Sequence, residues 1–112
     1  EPCDVFEKGT HVVTLTEETR QSNARFFTSI DEVPTHALTM GVGNIMSAKK
    51  VLLLASGEGK AKALYESCFG PVTPQVPASV LQLHSDVVVI ADEAALSLIR
   101  KNTGWEDMIY DN

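Results

Sequence analysis

Positive charge is scarce in this chain of 112 residues: nine Lys and Arg stand against fifteen Asp and Glu, a formal net charge of -6. A nucleic-acid backbone needs a basic stripe, so no nucleic-acid partner is expected, whereas a single small anion needs only a local cluster of donors. Cysteine is scarce too. Cys3 and Cys68 are too few to staple a disulfide-rich secreted domain, and they point to a reduced, cytosolic (cytoplasmic) protein. No stretch approaches the roughly twenty apolar residues that span a bilayer, and no basic-then-apolar leader opens the chain, so no membrane partner is expected. The chain starts at Glu1-Pro2 rather than methionine, which leads us to expect a processed, trimmed or partial protein.

Complete reaction centres are also missing. His11, His36 and His84 have no ligand spacing among themselves or with the cysteines, so neither a metal nor another cofactor is expected. No serine sits in a Gly-x-Ser-x-Gly elbow, and Asp86, Asp92 and Glu93 form no convincing acid/base pair. Gly57-Glu58-Gly59-Lys60 lacks the length and the following Ser or Thr of a Walker A loop. Gly41-Val42-Gly43 lacks the third glycine of a dinucleotide fingerprint, where Met46 stands instead. There is no internal repeat and no low-complexity segment.

What is present is a core. With 44% hydrophobic residues the chain can bury a real interior, and its length fits one domain, residues 1–112. His11–Leu15 and Ala37–Met40 read as short strands. Thr14 with Glu17 forms a capping box for a helix that should end near Phe27, and residues 28–36 read as a connection around Pro34. Gly41-Val42-Gly43 reads as a tight turn to Asn44, which would cap a brief helix over 45–49. Val51–Ser56 is the clearest strand. After it Ala61, Leu64, Tyr65, Cys68 and Phe69 recur at the helical period until Gly70-Pro71 stops them.

Residues 71–77 read as a looped segment with three prolines, and Ser79–His84 as one or two helical turns. Val87–Ala91 is a further strand, and Asp92 would cap a helix from Glu93 to about Lys101. The strands at 51–56 and 87–91 are apolar on both faces, as a parallel sheet covered by helices requires. An open α/β sheet follows, with ligands beyond the carboxyl ends of its strands. The polar tail, 102–112, carries Trp105, Met108 and Ile109 at helical spacing, suited to docking within the chain or on another part of an assembly.

Lys60 is the informative side chain. It falls in the first turn of its helix, where cations are disfavoured by roughly 0.3–1 kcal/mol unless an anion is held there by the ammonium and the free amides together. The competing reading points it into solvent, balanced by Glu58. Arg25 lies near the end of the first helix, about a quarter-turn from the apolar side marked by Leu15 and Phe26, where its guanidinium fork suits phosphate oxygens. A cation favourably placed at a helix C-terminus explains it equally well. Arg20 reads as an exposed ion-pair partner, and His84 as a satisfied structural side chain.

Three long stretches, "LTEETRQSNARFF", "VPTHALTMGVGNIMSAKKVLLLASGEGKAKAL" and "PASVLQLHSDVVVIADEAA", in this order, resemble the carboxyl-terminal half of glucosamine-6-phosphate deaminases, within the wider glucosamine/galactosamine-6-phosphate isomerase family. The resemblance runs from residue 1 to about residue 99. It implies an α/β fold with a three-layer, Rossmann-like, mostly parallel sheet, of which this chain is an incomplete part of a larger domain. It implies an enzyme that opens the ring of a hexosamine 6-phosphate, shifts a proton between neighbouring carbons and releases ammonia with a ketose 6-phosphate.

By the same resemblance Arg25, in the motif "NARFF", and Lys60 grip the substrate phosphate. Glu1, from the "EP" of an F-N-E-P motif, tunes the relay histidine of ring opening as a catalytic residue. That histidine and the proton-transfer aspartate belong to the missing amino-terminal half, so the segment alone should be inactive. Allosteric members use basic and hydroxyl side chains over the stretch matching residues 4–14. Here Asp4 replaces a serine, His11 an arginine and Val13 a lysine, while Thr14 is retained, so the resemblance implies a non-allosteric enzyme that is monomeric or a weak homo-oligomer. A galactosamine-6-phosphate isomerase/deaminase and a non-catalytic sugar-phosphate-binding module stay open as alternatives.

Overall fold

Residues 1–103 are described by a computed structural model. Strands β1 (His11–Thr14) and β2 (His36–Thr39) pair antiparallel, His11 opposite Thr39 and Thr14 opposite His36. Between them α1 (Glu17–Asn23) tightens into a 3-10 turn at Ala24–Phe26, and a second 3-10 turn follows at Ile30–Glu32. The strand-helix-strand order favours a parallel crossover. The chain instead returns to the end of β1 that it left, because the Leu15 amide donates to the Thr35 carbonyl at 2.8 Å and prolongs the ladder.

The cap of α1 is Thr16 and not Thr14. Its hydroxyl accepts from the Thr19 amide at 3.2 Å, while Thr14 is still committed to the β ladder. On the side of this helix expected to be apolar, Leu15 and Thr19 are half-buried, whereas Ser22 and Phe26 are exposed, Phe26 by 68%.

Helix α2 (Val42–Met46) starts directly at Gly41, with no side-chain cap from Asn44. A Cβ on Gly41 would stand 2.2 Å from the Lys8 carbonyl oxygen, and one on Gly43 2.9 Å from the same atom. The Val42 amide donates to Glu7 O at 2.8 Å and the Asn44 amide to Lys8 O at 3.2 Å. These glycines therefore let the chain at residues 7–9 lie against the start of α2. They form a packing contact rather than an open turn.

Strands β3 (Val51–Ala55) and β4 (Val87–Ala91) pair in parallel, as expected, from Val51 opposite Val87 to Ala55 opposite Ala91. One face carries Leu53, Ala55, Val89 and Ala91, which pack on Leu64 of α3 (Ala61–Phe69) and on Ala95 and Ile99, the latter in α4 (Ser97–Thr103). On the other face Leu52, Leu54, Val88 and Ile90 are all exposed, Leu54 by 68%. Both faces are apolar, yet within the described residues only one is covered. The two strand pairs form two separate two-stranded sheets, one of them antiparallel.

Helix α3 buries Ala61, Leu64 and Ser67. Ser67 can be buried because its hydroxyl donates to the Ala63 carbonyl at 2.7 Å. Phe69, expected on the core face, is 44% exposed and stacks on Tyr65 at 5.8 Å between centroids. The helix ends at Gly70 as expected, and the Gln82 amide group donates to Ser67 O and Gly70 O, both at 2.9 Å. Pro77–Leu83 is a 3-10 segment anchored by the fully buried Ser79, which exchanges hydrogen bonds with the Thr73 backbone.

Asp92 does cap the final helical segment, accepting from the Ala95 amide at 2.9 Å, but residues 93–96 form turns and regular α-helix begins at Ser97. Asn102 and Thr103, which the sequence assigns to the polar tail, complete α4. The rest of that tail, with Trp105, Met108 and Ile109, lies outside the described residues. No helix among the described residues is long and apolar enough to cross a membrane.

Candidate functional site

The turn after β3 is built on an unusual backbone. Gly57 has φ 90° and ψ 156°, a region that side chains other than hydrogen rarely tolerate. The 3-10 turn Glu58–Lys60 follows, closed by the Lys60 amide donating to Gly57 O at 3.1 Å, and runs straight into α3. Lys60 is exposed, and among the described residues no ion pair or hydrogen bond engages its ammonium. The pairing with Glu58 that would have satisfied it is not made.

Asp92, at the carboxyl end of β4, holds this turn from the side. Its Oδ2 accepts from the Ser56 hydroxyl at 2.7 Å, and both carboxylate oxygens lie 3.1 Å from the Gly57 amide nitrogen. The Ala95 amide, the Ser56 hydroxyl and the Gly57 amide together hold its carboxyl below the ordinary Asp range. The sequence offers Asp92 only as a helix cap. The signal that would have found more is the register: with Ala55 opposite Ala91, the residues after the two strands are neighbours.

Arg25 lies in the 3-10 turn after α1, exposed, donating to the Ser22 carbonyl and placed 4.4 Å over the Phe26 ring. The bond to Ser22 is what a helix-terminal cation makes, and the remaining guanidinium donors are open for an anion. Arg20 is not the exposed partner its position advertises. Its side chain is 17% exposed, pairs with Glu17 at 3.0 Å and donates to Ile30 O at 3.0 Å and Val33 O at 3.1 Å. It braces the 30–33 turn and has few donors left.

Glu1 docks on the start of α1, its Oε2 accepting from the Thr16 amide at 2.9 Å and its Oε1 from the Thr19 hydroxyl. Burial pushes its carboxyl up, but the hydrogen bonds from Thr19 and Thr16 and the adjacent α-ammonium outweigh this and hold it below the usual range. With Cys3, Glu7 and His11 it lines a cavity of about 100 Å³. His11 Nδ1 is engaged with Gly9 O at 2.8 Å, and His36 Nδ1 with the Thr35 hydroxyl at 2.8 Å. His84 is structural, as its setting in the sequence indicates: Nδ1 accepts from the Asp86 amide at 3.0 Å, which leaves Nε2–H to donate to Ala48 O at 2.7 Å.

Among the described residues no hydrogen bond or ion pair joins Glu1, Arg25 and Lys60 to one another. Neither the cavity at Glu1 nor the larger apolar one of about 320 Å³ between α2, β3 and Pro77–Leu81 includes Arg25 or Lys60. No group of three or more His, Cys, Asp or Glu side chains converges for a metal among these residues.

Fold and turn define an α/β protein that presents an unpaired lysine at the carboxyl end of a parallel strand, where such sheets hold anionic ligands. Named proteins are similar to it over part of their length. A protein of Clostridium botulinum (strain Alaska E43 / Type E3) named glucosamine-6-phosphate deaminase is 59% identical over 99 residues, 88% of this chain and 40% of that protein. One of the same name from Clostridioides difficile (strain 630) is 58% identical over 97 residues, 87% of this chain and 39% of that protein.

A solved structure described as a monomeric glucosamine-6-phosphate deaminase and a missing link of the NagB superfamily superposes with a TM-score of 0.81 at 54% identity, over 88% of this chain and 41% of its own. The chain thus shares that fold and spans about 40% of the length of the relatives it matches. No protein-family model matches it.

Proposed function

We propose that this chain is part of an amino-sugar-phosphate deaminase that converts glucosamine 6-phosphate to fructose 6-phosphate and ammonia. The observation that carries the reading is the 59% identity to a protein of that name across 88% of the chain. In this reading Lys60 and Arg25 hold the substrate phosphate. The unpaired Lys60 ammonium and the open donors of Arg25 support those roles. Phosphate binding anchors the remote end of the sugar, so that binding energy orients the carbons between which the proton moves.

Glu1 supports the ring-opening histidine, holding its tautomer and favouring its charged form. The hydrogen bonds from the Thr16 amide and the Thr19 hydroxyl favour the ionised carboxylate that this task needs. The histidine and the proton-transfer aspartate come from the portion of the enzyme that the chain does not span, the amino-terminal half, so residues 1–112 alone are inactive. That half also covers the open face of Leu52, Leu54, Val88 and Ile90, completing a three-layer, mostly parallel sheet of one domain. The assembled enzyme is cytoplasmic and monomeric, a state supported by the description of the relative that superposes on it.

The test is ammonia release from glucosamine 6-phosphate and galactosamine 6-phosphate by the full-length protein and by residues 1–112. Release by the full-length protein alone, faster with the gluco epimer, is the expected result. Release by the 112-residue chain would overturn the division of labour, and preference for the galacto epimer would overturn the substrate.

A further inference from the structure

We propose that Asp92 is a positioning residue of the phosphate site, clamping Ser56 and Gly57 so that the turn carrying Lys60 is held in one place. The inference rests on the reading of Lys60 as the phosphate grip. Nothing among the described residues holds the Lys60 ammonium, so the region it can reach is set by where its backbone stands. That backbone hangs on Gly57, whose carbonyl receives the Lys60 amide at 3.1 Å. Gly57 itself has no Cβ, nothing within 4 Å of where one would be, and a φ of 90°. Its amide is fixed by Asp92.

A helix cap would need only one of the carboxylate oxygens. Oδ1 meets that need at the Ala95 amide, whereas the Ser56 hydroxyl and the second contact with Gly57 fall on Oδ2 and are surplus to capping. Asp92 is tied to both strands: the Ala95 bond roots it in the turn before α4, and the Asp92 amide donates to Ala55 O at 3.4 Å. A carboxylate close to a phosphate site is unfavourable by charge alone. Here three donor groups donate to its lone pairs and partly compensate its charge, so rigidity is gained at less electrostatic cost.

The experiment measures KM and kcat for glucosamine 6-phosphate in the full-length protein with Asp92→Ala, Ser56→Ala, Lys60→Ala and the Asp92→Ala/Lys60→Ala pair. The expected result is a KM about tenfold higher in Asp92→Ala with kcat close to wild type, a smaller rise in Ser56→Ala, and no added effect of Asp92→Ala once Lys60 is gone. A merely structural role would lower kcat through lost active protein and would persist in the Lys60→Ala background. That outcome overturns the proposal, as does an unchanged KM in Ser56→Ala should Asp92→Ala not fold. If Lys60→Ala raises KM and the Asp92 and Ser56 variants do not, only the positioning role fails. If Lys60→Ala itself changes nothing, the phosphate reading fails and this inference falls with it.

Discussion

Leu52 and Val88 stand opposite each other across the parallel β3–β4 pair, and both are exposed, by 57% and 39%. Leu54 and Ile90 repeat the arrangement two residues on, at 68% and 55%. Aliphatic side chains on both faces of a parallel pair are the signature of a layer buried on both sides. The helices α3 and α4 cover one side only.

Leu54→Lys in the full-length protein should therefore cost about 1.5–3 kcal/mol, the value of a buried leucine, although its side chain is exposed in this chain. Denaturant unfolding measures it. A change within about 0.5 kcal/mol, the usual range for surface positions, would mean that nothing covers this face.

The glycines separate by their surroundings. Gly41→Ala places a Cβ 2.2 Å from a backbone carbonyl and should destabilise by about 1–3 kcal/mol, because residues 7–9 must move off α2. Gly59→Ala meets nothing within 4 Å and has no positive φ, so it should be neutral or stabilise by about 0.4–1 kcal/mol through the unfolded chain. Equal effects in thermal unfolding would contradict this account of the two turns.

Two arginines five positions apart should behave oppositely. Arg20→Ala removes donors from the Ile30 and Val33 carbonyls and should cost roughly 1.5–3 kcal/mol in stability. Arg25→Ala touches only an exposed turn, so stability should hold within about 0.5 kcal/mol while KM for the sugar phosphate rises. Unfolding curves and steady-state kinetics on the same pair of proteins separate the two roles, and a loss of stability without a KM change in Arg25→Ala would reject its binding role.

Asp92 gives a pH signature. Its folded-state carboxyl is held below the ordinary value of 3.8 by the Ala95 amide first and then Ser56 and Gly57. A depressed acid contributes stability that is complete above the unfolded pKa and is lost as pH falls through the folded one, so the loss should lie below about pH 4. The Gly57 and Ala95 amide proton shifts should titrate together with a midpoint under 3.8, and a midpoint at or above it would show that the clamp is not formed.

What the sequence made legible follows from how local each cause is. The runs Val51–Ala55 and Val87–Ala91, the Gly70-Pro71 stop and the Asp92 cap are written in neighbouring residues, and they stand. Which threonine capped α1 depended on where β1 let go of the chain, and that is a matter of pairing with His36. The antiparallel direction of β1 and β2 rests on a bond between Leu15 and Thr35, twenty residues apart, which no local pattern encodes.

Arg25 and Lys60 could be singled out because a cation near a helix terminus and one at a helix start invite an electrostatic question. The sequence shows the Arg20 ion pair and the Asp92 cap but not their further contacts, for a common reason. Their partners, the 30–33 carbonyls and the Ser56-Gly57 turn, are brought to them only by tertiary structure.

The central claim is that the turn after β3 exists to bring Lys60 to a sugar phosphate. Its most direct test is kcat/KM for glucosamine 6-phosphate in the full-length protein carrying Lys60→Ala. A charge-assisted bond to the substrate predicts a fall of about 10- to 100-fold, carried mainly by KM, with unfolding unchanged. A kcat/KM equal to that of the wild-type protein would contradict it.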